Sequence, residues 1–270
     1  MKRMVEFTKI EATGNDFICI RQDEKEPFAA DPVLVKRMCD RHLGIGADGL
    51  IILQPSGNEI AQMRYFNADG YESTMCGNGL RATVLFAEVI GKRCKTPTII
   101  KAGDGIHQVY YHSAERISVQ ILTGRKSQRI DSAKLDLPPQ FKVLGKIDTG
   151  VPHLVIEVGE ALEKVDVQGI GMRLRNHLMF APEGSNINFI KSLSDSMLEV
   201  RTYERGVEEE TLSCGTGITA SAILFRQHSP VASDEIEVIT RGGRLIVRFE
   251  QDNIFLDGPA HVVFYGHYLV

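Results

Sequence analysis

Cysteine is scarce in this chain and poorly placed for bridging. The five residues, Cys19, Cys39, Cys76, Cys94 and Cys214, are odd in number and follow neither disulfide-framework nor zinc-site spacing. No apolar run approaches the roughly 18 residues that a membrane span needs. The basic residues Lys2 and Arg3 are followed by no apolar stretch, which argues against a signal peptide and leads us to expect a cytoplasmic protein. Strong charge of one sign is missing too. A formal net charge of −4 offers no electrostatic reason to expect nucleic acid or an anionic membrane as partner. What remains is an ordinary soluble globular composition, 43% hydrophobic and 24% charged over 270 residues, enough for one large domain or two of common size.

Against this plain background two cysteines stand out, because their surroundings repeat. Met75-Cys76-Gly77-Asn78-Gly79-Leu80-Arg81-Ala82 is echoed by Ser213-Cys214-Gly215-Thr216-Gly217-Ile218-Thr219-Ala220, and both run into apolar stretches. A Tyr and a Glu precede each cysteine at matched distances: Tyr65 and Glu72, then Tyr203 and Glu210. The likeness extends backwards, where Gly14 to Ile20 resembles Gly150 to Ile156. Each of these is followed by a charged helical pattern, 31–42 and 166–179, and then by a Gly-bearing loop, 44–49 and 184–188. Repeats of this length imply two related lobes, since solenoid periods run from about 20 to 50 residues.

The remaining pattern is rich in strands. Alternating segments cover 60–66, 106–111, 117–122, 236–240, 245–249 and 254–256, with Gly242-Gly243 and Asp252-Asn253 expected as hairpin turns. Asp31-Pro32 is a good helix start, because Asp caps free N–H groups and Pro loses no bond at the first helical position. Helices are expected over 80–90 and 218–227, apolar nearly all round and therefore buried. The picture is an α+β chain in which a curved sheet wraps a central helix, twice.

A cysteine just ahead of a helix feels unpaired N–H groups and the positive end of the helix dipole, both of which favour thiolate. Gly77 and Gly215 leave bare amides where an anion can approach. Two such starts facing one cleft could hold a single carboxylate, with the sulfurs flanking the neighbouring carbon. That arrangement removes a proton from one face and delivers one to the other, which inverts a stereocentre. The other readings of the pair are a disulfide between lobes, disfavoured in a reducing cytoplasm, and inert cysteines at tight helix entries. Cys19 and Cys39 read as small core residues, and Cys94 as a loop residue without a role.

These residues resemble a known family. Asn67 to Arg81 and Tyr203 to Gly217 look like the two signatures of diaminopimelate epimerase. Gly14 to Phe17, Gly44 to Gly49, Asn186 to Phe189 and Gly258 to Ala260 fit in the same order. The resemblance implies cofactor-independent, metal-free interconversion of L,L- and meso-diaminopimelate in lysine and peptidoglycan-precursor synthesis, commonly by a homodimer. It implies two pseudo-symmetric lobes, each a β-barrel around a helix, here divided as 1–116 and 117–257, with 258–270 returning to the first. Carried over by position, Cys76 and Cys214 are the acid–base pair, while Gly77, Asn78, Gly215 and Thr216 hold the reacting carboxylate through their amides. Asn15 lies at the reacting end; Asn67, Asn186, Glu204 and Arg205 read the distant amino-acid end. His153 and Glu204 tune the cysteines. Each polar residue also has a plainer reading, as turn residue (Asn15, Asn67, Asn186), solvated pair (Glu204-Arg205) or strand entry (His153).

Three departures from the family pattern stand out; none touches the cysteine chemistry, and the first bears on substrate. Val151 stands where Asn is usual and its side chain cannot hydrogen-bond, so one contact to the distant end of the substrate is missing or supplied elsewhere, for example by Thr149 or Ser185. The stretch from Glu204 to Cys214 holds an extra residue, and Gly49 replaces a common Gln. A two-cysteine racemase acting on proline, hydroxyproline or histidine is the same-fold rival, and a non-catalytic amino-acid-binding protein the rival of another class. A planar Arg fork suits a carboxylate and Glu suits an ammonium, so Glu204-Arg205 favours a substrate with two amino-acid ends.

Overall fold

The computed structural model describes residues 3–270 apart from 24, 26, 57–59, 93–96, 123–126 and 230; the Cys94 expectation lies outside the described residues. The chain divides into two compact units, Met1–Gln120 with Asp257–Val270, and Ile121–Leu256. The first contains β1 (Met4–Ala12), β2 (Asn15–Arg21), α1 (Pro32–Cys39), β3 (Gly49–Ser56), β4 (Ile60–Asn67), β5 (Glu72–Ser73), α2 (Gly77–Val89), β6 (Thr98–Ala102), β7 (Gly105–Ser113) and β8 (Arg116–Gln120). The second contains β9 (Phe141–Asp148), β10 (Pro152–Val158), α3 (Val167–Arg175), β11 (Asn186–Ser194), β12 (Met197–Glu204), β13 (Glu209–Thr211), α4 (Gly215–His228), β14 (Glu235–Thr240) and β15 (Gly243–Glu250). Then come β16 (Asn253–Gly258) and β17 (His261–Leu269), the latter antiparallel to β1 in the first unit.

Strand pairing repeats between the units. In the first, β1–β2 is antiparallel, β2–β3 parallel, β3–β4 and β4–β5 antiparallel, β4–β6 parallel and β6–β7 antiparallel. In the second, β9–β10, β10–β11, β11–β12, β12–β13, β12–β14 and β14–β15 follow the same sequence of directions. Register repeats as well: Phe17 faces Gly49 across β2–β3, and His153 faces Asn186 across β10–β11. The matched glutamates acquire one physical role, each gripped by an Arg of the neighbouring strand in a bidentate pair, Arg64–Glu72 and Arg201–Glu210. These pairs pin the short strand that leads into each cysteine.

The helix α2 is buried from Gly77 to Ala87 and α4 from Gly215 to Phe225, each against several strands of its own unit. Both start three residues earlier than the sequence predicts. Glycine lowers helix propensity in an interior, but the first turn needs few intrahelical bonds and tolerates it. The other helices end early. Asp31 caps α1 through Val33 and Leu34, yet the helix stops at Cys39 because the Asp40 carboxylate takes the amides of His42 and Leu43. Likewise α3, capped by Asp166, ends at Arg175, and a separate 3₁₀ turn covers Leu178–Phe180. The hairpin turns fall one residue earlier than expected. The Thr240–Gly243 pair leaves Arg241-Gly242 as the loop, and Gln251-Asp252 separates β15 from β16. No helix among the described residues is long and apolar enough to cross a membrane.

Candidate functional site

Cys76 is the N-cap residue of α2, with extended backbone angles, and the Gly79 amide donates to its sulfur at 3.3 Å. The Cys76 Sγ–H points to Asn15 Oδ1 at 3.7 Å, and Asn78 Nδ2 donates to the same oxygen at 3.4 Å. Asn15 therefore meets Cys76 and Asn78. Its own amide nitrogen is held by the Asp48 carboxylate at 2.6 Å, which fixes the oxygen toward the cysteine. Asp48 belongs to a charged cluster with Asp16, Arg41 and Lys9. Burial would raise the Asp16 carboxyl, but hydrogen bonds and charge from Arg41 and Lys9 bring it down to about 2.

Below Asn78 lies Arg81, fully buried, donating to Thr13 Oγ1, Asn78 Oδ1 and the Pro259 carbonyl. Its Nη1 has no hydrogen-bond partner among the described residues. Burial lowers the guanidinium toward about 10, opposed by the Cys76, Glu11 and Asp257 charges. A buried cation near a cysteine was not foreseen, because only the enclosing strands reveal its burial. Asn67, by contrast, ends β4 as an exposed residue and joins no hydrogen bond to the Cys76 group. At Gly49 a Cβ would lie 2.5 Å from the Tyr65 ring and 2.6 Å from the Phe66 carbonyl, so no larger residue fits this backbone.

Cys214 occupies the same place on α4, as N-cap with extended backbone, and α4 has no side-chain cap. The first amides of the helix, Gly215 and Thr216 among them, are thus left for another acceptor. The Thr216 hydroxyl lies 3.5 Å from the Cys214 sulfur and 3.0 Å from His153 Nε2. His153, on β10, is fully buried, and its pKa falls to about 3, chiefly through burial and further through the Arg205 charge. The ring is therefore neutral near pH 7. Its reach to Cys214 runs through a hydroxyl.

The Arg205 amide donates to Asn186 Oδ1 at 2.7 Å, and Asn186 Nδ2 to the Pro152 carbonyl at 3.2 Å. Asn186 is buried and braces the backbone under Arg205. The Arg205 guanidinium donates to the Glu183 carbonyl and forms no ion pair with a described carboxylate, so it retains donors for a ligand. Glu204 Oε2 accepts from Thr211 Oγ1 at 3.0 Å. The extra residue after Glu204 sits in a turn where Glu208 adopts φ +61° and Tyr203 donates its phenolic hydrogen to the Glu208 carbonyl. Thr149 and Ser185 are the candidates to stand in for the Asn missing at Val151. Both are buried, their hydroxyls spent on the Thr216 carbonyl and on the Pro152 and Asn186 carbonyls.

Among the described residues no disulfide forms; Cys19, Cys39, Cys76 and Cys214 all carry thiols. Burial pushes the Cys39 thiol up to about 12 and the Cys19 thiol higher still. No group of three or more His, Cys, Asp or Glu among the described residues is arranged to hold a metal.

The family model for diaminopimelate epimerase matches residues 7–127 and 146–263. The chain belongs to the diaminopimelate epimerase family. A relative named diaminopimelate epimerase, from Flavobacterium psychrophilum, is 39% identical over 261 residues, covering 95% of this chain and 97% of its own. Among solved structures, a phenazine biosynthesis protein of the PhzF family from Bacillus anthracis has a TM-score of 0.75 at 16% identity, covering 99% of this chain and all of its own. A hydroxyproline epimerase from Agrobacterium vitis has a TM-score of 0.70 at 12% identity, covering 100% of this chain and 94% of its own. Those two structures share the fold of the epimerase family, which is the expected α+β architecture of two pseudo-symmetric halves.

Proposed function

We propose that this chain interconverts L,L- and meso-diaminopimelate without a cofactor, with Cys76 and Cys214 as the acid–base pair. Each of two duplicated units presents a cysteine as N-cap of a buried helix, and this observation carries the reading. One thiolate takes the α-proton and becomes a thiol; the electron pair stays on the α-carbon; the other thiol gives its proton to the opposite face and becomes thiolate. Atoms balance, and reversal exchanges the roles. The carbanion is very basic, so oriented amide dipoles of Gly77, Asn78, Gly215 and Thr216 must stabilise the charge spreading onto the carboxylate. Arg205 and Glu204 read the distant carboxylate and ammonium, with Asn186 supporting Arg205 from behind.

The product serves lysine and peptidoglycan-precursor synthesis in the cytoplasm. A second copy of the chain docks as a homodimer, for which the exposed apolar residues Val263, Phe264 and Tyr265 of β17 offer a surface. Incubation in deuterated water with diaminopimelate, proline, hydroxyproline and histidine tests the reading. Exchange of the α-hydrogen of diaminopimelate alone supports it. Exchange confined to one of the other three amino acids overturns the substrate assignment, and no exchange with any of them overturns the catalytic one.

A further inference from the structure

One buried residue near Cys214 belongs to none of the assigned groups. Asn188 lies on β11, fully buried, directly opposite Val155 of β10. Its Oδ1 accepts from Thr202 Oγ1 at 3.0 Å. Its Nδ2 lies 3.0 Å from the Leu154 carbonyl, which can only accept, so the nitrogen end of the amide is fixed toward β10. The second hydrogen of that nitrogen meets His153 Nδ1 at 3.1 Å.

We propose that Asn188 is a positioning residue that sets the tautomer of His153 and, through Thr216, aims a hydroxyl hydrogen at the sulfur of Cys214. The reasoning runs atom by atom. Because Asn188 donates to Nδ1, that nitrogen is an acceptor and carries no proton. The neutral ring then holds its proton on Nε2, 3.0 Å from Thr216 Oγ1, and donates to it. The hydroxyl has one hydrogen of its own, and Cys214 Sγ lies 3.5 Å away to receive it. A hydrogen bond donated to sulfur favours thiolate over thiol. The positive charge of Arg205 opposes protonation of His153, which keeps the ring neutral.

The space around the network is equally specific. A Cβ on Gly217 would fall 2.3 Å from Asn188 Oδ1 and 3.3 Å from the His153 ring, so the glycine admits α4 to this network. The first unit has no equivalent: Phe17 stands opposite Gly49 where His153 stands opposite Asn186, and Ile51 takes the register position of Asn188. The relay serves one cysteine of the two.

The inference rests on the reading of Cys214 as an acid–base group, but its test needs no substrate. Nitrogen-15 NMR of the wild-type protein should show His153 protonated on Nε2, and in Asn188→Leu that preference should be lost. Ultraviolet thiolate absorbance in a Cys76→Ala background, referenced to the Cys76→Ala/Cys214→Ala pair, should give the Cys214 midpoint. Loss of one hydrogen bond in Thr216→Val or Asn188→Leu should raise that midpoint by about one pH unit, and kcat should fall more than KM rises. An Nδ1-protonated His153 in the wild type, or an unmoved midpoint in Thr216→Val, overturns the proposal, even if Asn188→Leu does not fold. Failure of the wild type to exchange α-hydrogen would instead sink the catalytic reading while leaving these measurements interpretable.

Discussion

At the scale of single residues, the two sulfur atoms carry the chemistry and their settings differ. Cys76 meets a carboxamide oxygen and a backbone amide, with a buried Arg81 behind them, whereas Cys214 meets a hydroxyl backed by a neutral imidazole. Replacing either cysteine by Ala should abolish epimerisation while circular dichroism stays unchanged, since each side chain is small and holds no core together. A racemising double variant would contradict the account. Arg205→Ala should raise KM for diaminopimelate by roughly 10- to 100-fold, the range for a hydrogen bond to a charged group; an unchanged KM would favour a substrate with one amino-acid end. Cys19 and Cys39, buried and pushed far from thiolate, should resist alkylation in the native protein at pH 8. The cysteines could be read from sequence because glycines and a repeat frame them. Asn188, Thr149 and Ser185 could not, because their roles depend on which strands lie beside them. The spacing around Arg81 likewise says nothing of its burial.

At the scale of elements, the strand pairings and helix starts set where those residues end up. The helix positions were legible from apolar periodicity, but their first turns were not. A Cys-Gly-x-Gly start reads as loop by propensity, although an N-cap and a first turn accept it. The close approach of α4 to β11 predicts a cost for any side chain at Gly217. Gly217→Ala should destabilise the protein by about 1–3 kcal/mol in urea unfolding, the usual range for overpacking; a neutral result would mean that α4 shifts freely. The Asp16 cluster ties β2 to the loop after α1, and its pH dependence follows from sign. The carboxyl is lowered from 3.8 to about 2 on folding, so its contribution is complete above roughly pH 4 and is lost as pH falls toward 2. Asp16→Asn should therefore cost on the order of 2 kcal/mol at neutral pH. Its stability should converge with that of the wild type near pH 2, and a gap constant across that range would contradict this assignment.

At the scale of the whole molecule, the duplication visible in two short phrases extends to the order and direction of strand pairing. The sequence phrases align because each fills the same place, a turn from a pinned strand into a buried helix. Alike in the order and direction of pairing, the units differ at matched register positions, Phe17 and Ile51 against His153 and Asn188. Repetition thus supplies two thiols, and divergence gives them distinct surroundings. A two-thiol inversion makes a definite statement about the origin of each proton. The most direct measurement follows the first turnovers of protiated L,L-diaminopimelate in deuterated water, with the isotope content of substrate and product read separately. Our account predicts deuterium at the inverted carbon of the meso product, while unreacted L,L-isomer keeps its hydrogen. Equal early labelling of both pools, or transfer of the original hydrogen into product, would point to a single base and contradict it.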